Sequence, residues 1–207
     1  MKHEWKRHER EIYRGYRKPR LVTISRQSFV MLPSMAIPES EAFAQQLSVL
    51  FSVAYRIKMQ FKALCCNDGQ QRTRYAFEDF TMYPLEVVWQ PPPEERLAGD
   101  TPHSLMIRQP DWITRDMFEA ACETVKKKSP HPLLNDIVFD AIDGGKCVQA
   151  LRNFSTQTTA NILAEMDIFT ASVGLKRKNQ CFREIHLWDM RKKNPKKPHS
   201  ILHYWVE

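Results

Sequence analysis

The chain has 207 residues, of which 43% are hydrophobic and 27% are charged, and its formal net charge is +7. This length fits one domain or two small fused ones. The composition excludes collagen-like, low-complexity and intrinsically disordered proteins. The longest apolar stretch, residues 47–57, is much shorter than the ~20 apolar positions of a membrane span, so we expect no membrane segment.

The N-terminus is charged and lacks the apolar run of a signal peptide, so we expect a protein of the reducing cytoplasm. The five cysteines form no CxxC pair, and the seven histidines show no metal-binding spacing. Cys65 and Cys66 are adjacent, which is compatible with a redox or metal pair, although two incidental thiols in a loop are the simpler interpretation. We therefore predict neither a metal site nor a cofactor.

The positive charge is concentrated in two short segments. Residues 1–20, called the leader here, carry a net charge of +5, and residues 191–197 contain five basic and no acidic side chains. The rest of the chain has a net charge of −3. A nucleic-acid-binding domain would spread its basic residues over one face, so nucleic acid is not favoured as a partner.

In the first half of the chain, residues 21–35 are rich in β-branched side chains and predict a strand with a break near Pro33. Residues 39–62 carry a helical stripe of apolar side chains. Residues 74–90 alternate well enough for two strands around Pro84. The apolar positions of the helix are Phe43, Leu47, Leu50, Ala54, Ile57 and Phe61, flanked by Phe51, Tyr55 and Met59.

Two polar segments separate the predicted elements. Residues 67–69 (Asn-Asp-Gly) predict a turn, and the proline-rich stretch 91–101 is the best internal boundary. In the second half, Thr114 is a good N-cap for a helix that ends at three lysines. The remaining elements are strands at 104–108 and 146–151, a helix at 155–173, and closing strands at 182–188 and 201–206.

The two halves repeat one order of elements. In each, a strand leads into a long amphipathic helix and returns as a strand with one glutamate among apolar neighbours, Glu86 in the first half and Glu184 in the second. This order predicts an α+β fold, with antiparallel strands in one layer and helices covering a face. We expect one domain at residues 21–207, with half-repeats at about 21–100 and 101–207.

Glu184 is the most informative polar residue. Because side chains alternate along a strand, Phe182, Glu184, His186 and Trp188 are expected on one side of the sheet. A buried carboxylate among aromatic rings would indicate a binding site. A solvated glutamate on an edge strand is the simpler alternative, and the same alternative applies to Glu86.

Four segments of the chain carry a family resemblance: the leader, the helix around residues 43–59, the strand YPLEVVW at 83–89, and the block that begins FREIHLWDMR at 182. The last is similar to a family stretch His-His-Glu-Ile-Tyr-Leu-Ser-Asp-Pro-Arg. The sequence thus resembles the GyrI-like small-molecule-binding family of the SOUL/GyrI superfamily. That fold also occurs in effector domains of multidrug-sensing regulators and in cyclopropanoid cyclase/hydrolases.

The resemblance implies tandem pseudo-symmetric strand-helix-strand-strand units that form one antiparallel sheet, with an aromatic-lined cavity between the halves. The matching family glutamate projects into this cavity, and Trp89 matches a wall residue. A carboxylate inside an aromatic cage suits a lipophilic cation. The ligand-binding residues expected on this basis are Glu184, Trp89, Glu86, Tyr55, His186, Trp188 and Thr156.

Some positions depart from the family pattern. The tyrosine found in cyclopropanoid hydrolases is replaced by Thr156, and the tyrosine two residues after the glutamate by His186. We therefore expect a stand-alone binding protein for hydrophobic, cationic or planar small molecules. The alternative is a hydrolase in which Glu184 acts as general base, with Thr156 or His186 assisting.

The leader is too short for a helix-turn-helix domain, so a complete one-chain transcription regulator is not expected. A lipophilic small molecule is the predicted partner, without a membrane or nucleic acid. The oligomeric state does not follow from the sequence.

Overall fold

The computed structural model describes residues 1–67, 75–90, 101–191 and 198–207. Ten strands occur in these ranges, and their bounds are as follows: β1 Lys2–His3, β2 Arg20–Ile24, β3 Gln27–Ser34, β4 Asp79–Phe80, β5 Leu85–Trp89, β6 His103–Gln109, β7 Val138–Ile142, β8 Gly145–Asn153, β9 Phe182–His186 and β10 His199–Trp205. Five α-helices accompany them: α1 Trp5–His8, α2 Arg10–Tyr13, α3 Glu41–Asn67, α4 Arg115–Lys128 and α5 Thr159–Ser172. A short 3₁₀ helix spans Pro132–Asn135.

Eight strands form one antiparallel sheet in the order β2-β8-β10-β9-β5-β6-β3-β7. The two halves of the chain meet at β5 and β9. On one side of this junction lie β6 and β3, and on the other lie β10 and β8. The units β3-α3-β5-β6 and β8-α5-β9-β10 therefore share one order, which confirms the predicted α+β fold with tandem strand-helix-strand-strand units.

The three longer helices lie on one face of the sheet because their apolar stripes are buried there. In α3, Leu47, Leu50 and Ile57 are at most 3% exposed, as the helical spacing predicts. The hydroxyl of Ser40 accepts a hydrogen bond from the backbone N–H of Phe43 near the start of this helix. The predicted N-cap Thr114 accepts one from Met117 at the start of α4.

Helix α3 is longer than its apolar stripe predicts. It continues to Asn67, so Cys65 and Cys66 lie in its last turn and not in a loop, and all five cysteines are free thiols. The predicted turn at 68–69, the connector at 91–100 and the lysines at 192–197 lie outside the described residues. Among the described residues, no helix combines the length and apolar character that a membrane crossing needs.

The predicted strand at residues 21–35 is two strands, β2 and β3, which lie far apart in the sheet order. The break falls between Ile24 and Gln27, and the prediction of a break near Pro33 was wrong. Proline is tolerated in β3 because β7 pairs with this strand only as far as Met31. Strand β7 itself was not predicted.

The leader covers the other face of the sheet. Trp5 and Tyr13 are 6% and 5% exposed, and the indole Nε1 of Trp5 donates to the carbonyl of Met82 at 2.8 Å. The side-chain amide of Gln149 on β8 donates to the carbonyl of Glu11 at 2.9 Å. The sheet therefore has a cavity face, under α3 and α5, and a leader face, under residues 1–13.

Candidate ligand-binding cavity

A cavity of about 1760 Å³ lies on the cavity face, between α3 and α5 and above the central strands β5 and β9. Most of the lining side chains are apolar or aromatic. Helix α3 contributes Phe43, Leu47, Phe51 and Tyr55, and the sheet with its following loops contributes Val87, Trp89, Arg152, Phe154, Phe182, Glu184, His186 and Trp188. The cavity thus combines apolar and aromatic walls with polar groups, which besides Glu184 and Arg152 include the charged side chains of Glu39, Arg177 and Arg191.

Strand register explains why Glu184 points into this cavity. In the β5–β9 pair, Val87 lies opposite Glu184 and Trp89 lies opposite Phe182. Residues opposite each other in an antiparallel pair share one face. Glu184 therefore lies on the same face as Trp89, and His186 follows two positions later, as strand alternation predicts.

Glu184 is 4% exposed, and its carboxylate accepts three hydrogen bonds. Its Oε1 accepts a hydrogen bond from the Ser200 hydroxyl at 2.7 Å and another from Nη1 of Arg152 at 3.1 Å. Its Oε2 receives the indole Nε1 of Trp89 at 3.2 Å. A buried carboxylate normally needs such partners, and here an internal cation already compensates its charge.

Arg152 is a site residue that the sequence analysis missed. The predicted strand ended at residue 151, whereas β8 continues to Asn153. Side chains alternate along a strand, so Val148, Ala150 and Arg152 share the cavity face. This alternation could have identified Arg152 from the sequence if the strand had been extended. The guanidinium of Arg152 lies 3.7 Å from the ring centre of Phe154, a distance typical of a cation–π contact.

His186 and Trp188 line the cavity next to Phe154. Their ring centres are 4.9 Å apart, and the ring of Trp188 is 4.6 Å from that of Phe154. His186 is 4% exposed, and its Nδ1 has no hydrogen-bond partner among the described residues. Burial lowers the pKa of His186, and the opposing effect of Glu184 is smaller. The imidazole is therefore neutral at neutral pH.

The two remaining aromatic residues of the predicted site, Trp89 and Tyr55, differ in how deeply they are buried. Trp89 stands beside His103, with ring centres 4.7 Å apart, and its side chain is partly exposed. Tyr55 reaches the cavity from α3 and is 55% exposed. The structure thus brings Glu184, Trp89, Tyr55, His186 and Trp188 together around one space.

Glu86 lies elsewhere, which corrects the sequence-based prediction. It pairs in register with Ile185, one residue away from Glu184, and so points to the leader face. There it is fully buried, forms a salt bridge with Arg183 and accepts a hydrogen bond from the Tyr13 hydroxyl at 3.1 Å. Burial raises the pKa of Glu86, and the adjacent Arg183 guanidinium opposes that shift. Glu86 does not line the cavity.

Thr156 also departs from its predicted place. It lies in the turn after β8, is exposed, and is not among the side chains that line the cavity. Its backbone N–H donates to the carbonyl of Asn153 at 3.2 Å, which closes this turn. Phe154, two residues earlier, supplies the aromatic ring that reaches the cavity from this segment.

No family model matches the sequence, and a search of curated proteins gives no match. Several solved structures are similar to this chain. An uncharacterized conserved protein from Listeria innocua is 28% identical with a TM-score of 0.81, and the match covers 99% of this chain and 100% of that one. A hydrolase from Listeria innocua is 26% identical with a TM-score of 0.81, and the match covers both chains completely.

The C-terminal domain of EcmrR is more distant. It is 9% identical to this chain with a TM-score of 0.51, and the match covers 92% of this chain and 97% of that domain. At this level of identity the similarity concerns the fold alone. These similarities are consistent with the GyrI-like fold that the sequence resemblance implies.

Proposed function

We propose that this chain binds hydrophobic, planar small molecules in the cavity between α3 and α5. The observation that carries the proposal is a space of about 1760 Å³ with aromatic walls and one buried, fully hydrogen-bonded carboxylate. Apolar walls supply affinity through burial of ligand surface, and a few fixed polar groups orient the ligand. The volume exceeds the ~300 to 1,000 Å³ of common ligand sites, so it accommodates a ligand with several rings.

The preference for cations predicted from the sequence is not part of this proposal. It requires that the Glu184 carboxylate be available to the ligand, yet Arg152 already forms an ion pair with it. An ion pair inside the cavity adds no net negative charge. Hydrophobic surface and planarity are therefore proposed as the main basis of selection.

The proposal is tested with the neutral fluorescent dye acridine and two tryptophan variants on one helix. Ser48 lines the cavity and is exposed, whereas Ala63 is exposed on α3 but does not line the cavity. We expect saturable binding by the unmodified protein, an affinity loss of about tenfold or more in Ser48→Trp, and little change in Ala63→Trp. Absence of saturable binding, or equal losses in both variants, would contradict the proposal.

Hydrolysis is a second candidate because a Listeria innocua hydrolase is 26% identical over the whole chain. In this case a side chain must accept a proton from a water molecule that attacks an electrophilic substrate. Glu184 is poorly placed for this role, since its two carboxylate oxygens already accept hydrogen bonds from Ser200, Arg152 and Trp89. The neutral imidazole of His186, with Nδ1 unpartnered among the described residues, is the better base.

A matched pair of tyrosine variants tests this second candidate. Phe154→Tyr places a phenol in the cavity beside His186, whereas Thr156→Tyr places one on the exposed turn. With a small spirocyclopropane dienone as substrate, we expect turnover near background in the unmodified protein. If hydrolysis is the function, turnover is efficient, depends on His186 and responds to Phe154→Tyr but not to Thr156→Tyr.

A further inference from the structure

Arg152 already makes the contacts that a lipophilic cation would make with Glu184. Its Nη1 donates to Oε1 of Glu184 at 3.1 Å, and its guanidinium stacks 3.7 Å from the ring centre of Phe154. A carboxylate and a ring face are the two groups that hold a hydrophobic cation. Both are occupied by a side chain of the protein.

The backbone holds Arg152 in this position. In the sheet, Arg152 and His186 lie on either side of Ser200, the residue of β10 that pairs with both. Ser200 in turn donates to the same carboxylate oxygen that receives Arg152. The side chain of Arg152 is only 15% exposed. The ion pair is therefore part of the sheet surface and not a loose surface contact.

A cationic ligand has two ways to enter this site, and both are unfavourable. It can displace Arg152 from Glu184, which leaves a largely buried guanidinium without its carboxylate. It can also lie beside Arg152, where two like charges repel each other at short range. A neutral planar ligand meets neither obstacle, because it can stack in the cavity while the ion pair stays intact.

We infer that Arg152 is a specificity-determining residue: it acts as a built-in cation on Glu184 and makes the cavity select neutral over cationic planar ligands. This inference rests on the proposed binding function. It also assigns a role to a residue that is not among the ligand-binding residues predicted from the sequence. On this inference, Glu184 could bind a cationic ligand only in the absence of Arg152, which already forms an ion pair with it.

Two dyes of nearly the same shape provide the test: acridine, at a pH where it is neutral, and N-methylacridinium, a permanent cation. Affinities are measured by fluorescence titration for the unmodified protein, Glu184→Gln, Arg152→Met and the double variant. We expect the unmodified protein to bind acridine about tenfold or more tightly than N-methylacridinium. In Arg152→Met the freed carboxylate should raise the affinity for N-methylacridinium relative to that for acridine by about tenfold or more.

The other two variants test whether the higher affinity of Arg152→Met for N-methylacridinium comes from the freed Glu184 carboxylate. Glu184→Gln alone should not weaken N-methylacridinium binding, since the cation does not use this carboxylate in the unmodified protein. The double variant should lose the gain seen in Arg152→Met, which is the coupling expected of two groups in direct contact. Arg152→Lys keeps a positive charge and should keep the preference for acridine.

The outcomes distinguish this inference from the proposed function. If acridine binds but the unmodified protein prefers N-methylacridinium, and Glu184→Gln weakens that dye, Arg152 does not mask the carboxylate and the inference is wrong. If neither dye binds any variant, the proposed function fails as well. The Glu184→Gln measurement does not depend on Arg152→Met being folded, and circular dichroism checks the fold of each variant.

Discussion

The central strands β5 and β9 each carry a buried glutamate paired with an arginine, but the two pairs lie on opposite faces of the sheet. Glu86 and Arg183 lie under the leader and are at most 1% exposed. Glu184 and Arg152 adjoin a cavity of about 1760 Å³, and Arg152 keeps 15% of its side chain exposed. The same ion-pair chemistry thus serves a sealed interior on one face and an accessible site on the other.

The leader face is a dense polar network. Arg183 donates to Gln27 at 2.9 Å in addition to Glu86, and nearby Arg108 forms a salt bridge with Glu9 of the leader. Each partner compensates the cost of removing a charge from water. On the cavity face, by contrast, the Glu184–Arg152 pair adjoins an open space lined in large part by apolar and aromatic side chains, which leaves room for a ligand. The residues that cover each ion pair, and not the pair itself, decide its role.

Removing Arg183 should have the largest effect on stability. Arg183→Met leaves the Glu86 carboxylate buried without its cation, and breaking such a pair commonly costs ~3 to 5 kcal/mol. Arg152→Met should cost clearly less, because Glu184 retains the Ser200 and Trp89 donors and adjoins the cavity. The free energies of unfolding are measured in urea.

A paired replacement serves as the control for that prediction. Arg183→Met combined with Glu86→Leu removes both charges, and it should recover a large part of the lost stability because no uncompensated charge remains. Equal losses for Arg183→Met and Arg152→Met would mean that the two faces do not differ in the way proposed.

Tyr13→Phe should have the next largest effect, since it deletes one hydrogen bond between the leader and Glu86. A hydrogen bond to a charged group contributes ~1.5 to 3 kcal/mol to stability. Tyr16→Phe is the matched control, because Tyr16 is only partly buried and its ring contacts Arg14 and Arg20. Similar unfolding free energies for both variants would show that the Tyr13 hydroxyl does not help to hold the leader on the sheet.

The leader face should also make stability depend on pH. His203 is fully buried next to Arg183 in the sheet register, and its pKa is lowered well below 6.5 because burial and the nearby Arg183 disfavour its charged form. Its unfolded form therefore binds more protons below about pH 6.5, and the contribution of neutral His203 to stability is lost as the pH falls toward its folded-state pKa. The expected slope is up to ~1.4 kcal/mol per pH unit for this group.

His186 provides the comparison on the cavity face, since burial lowers its pKa as well. His203→Leu and His186→Leu are compared by urea unfolding at several pH values. We expect His203→Leu to flatten the acid side of the profile more than His186→Leu does, because the shift at His203 is the larger one. A profile unchanged by His203→Leu would rule out this histidine as a source of the pH dependence.

The site on the cavity face could largely be predicted from local patterns. Alternation along one strand correctly placed Glu184 and His186 on one side, and helical spacing predicted the buried stripe of α3. These are properties of a single element and need no knowledge of its neighbours.

The face that Glu86 occupies could not be predicted in this way. It depends on a register in which Val87, and not Glu86, lies opposite Glu184, and register is set by long-range pairing. The same limit applies to the leader. The leader was interpreted as a basic segment, so the burial of Trp5 and Tyr13 was not predicted. Their hydrogen-bond partners, Met82 and Glu86, are distant in sequence. Arg152 was missed because the C-terminal end of β8 was predicted two residues too early.

The smallest effect is expected when the same deletion is made on the cavity face. Trp89→Phe keeps an aromatic ring but removes the indole N–H that donates to Oε2 of Glu184, just as Tyr13→Phe removes one donor from Glu86. The orphaned oxygen of Glu184 adjoins the cavity, where water can take the place of the lost donor. The expected loss is therefore ~1 kcal/mol or less. The oxygen of Glu86 that loses its donor in Tyr13→Phe belongs to a fully buried side chain beneath the leader. The stability losses of Trp89→Phe and Tyr13→Phe, measured by unfolding in urea, therefore compare how accessible the two faces are to water. A larger loss for Trp89→Phe than for Tyr13→Phe would contradict the proposal that the cavity face is the more accessible one.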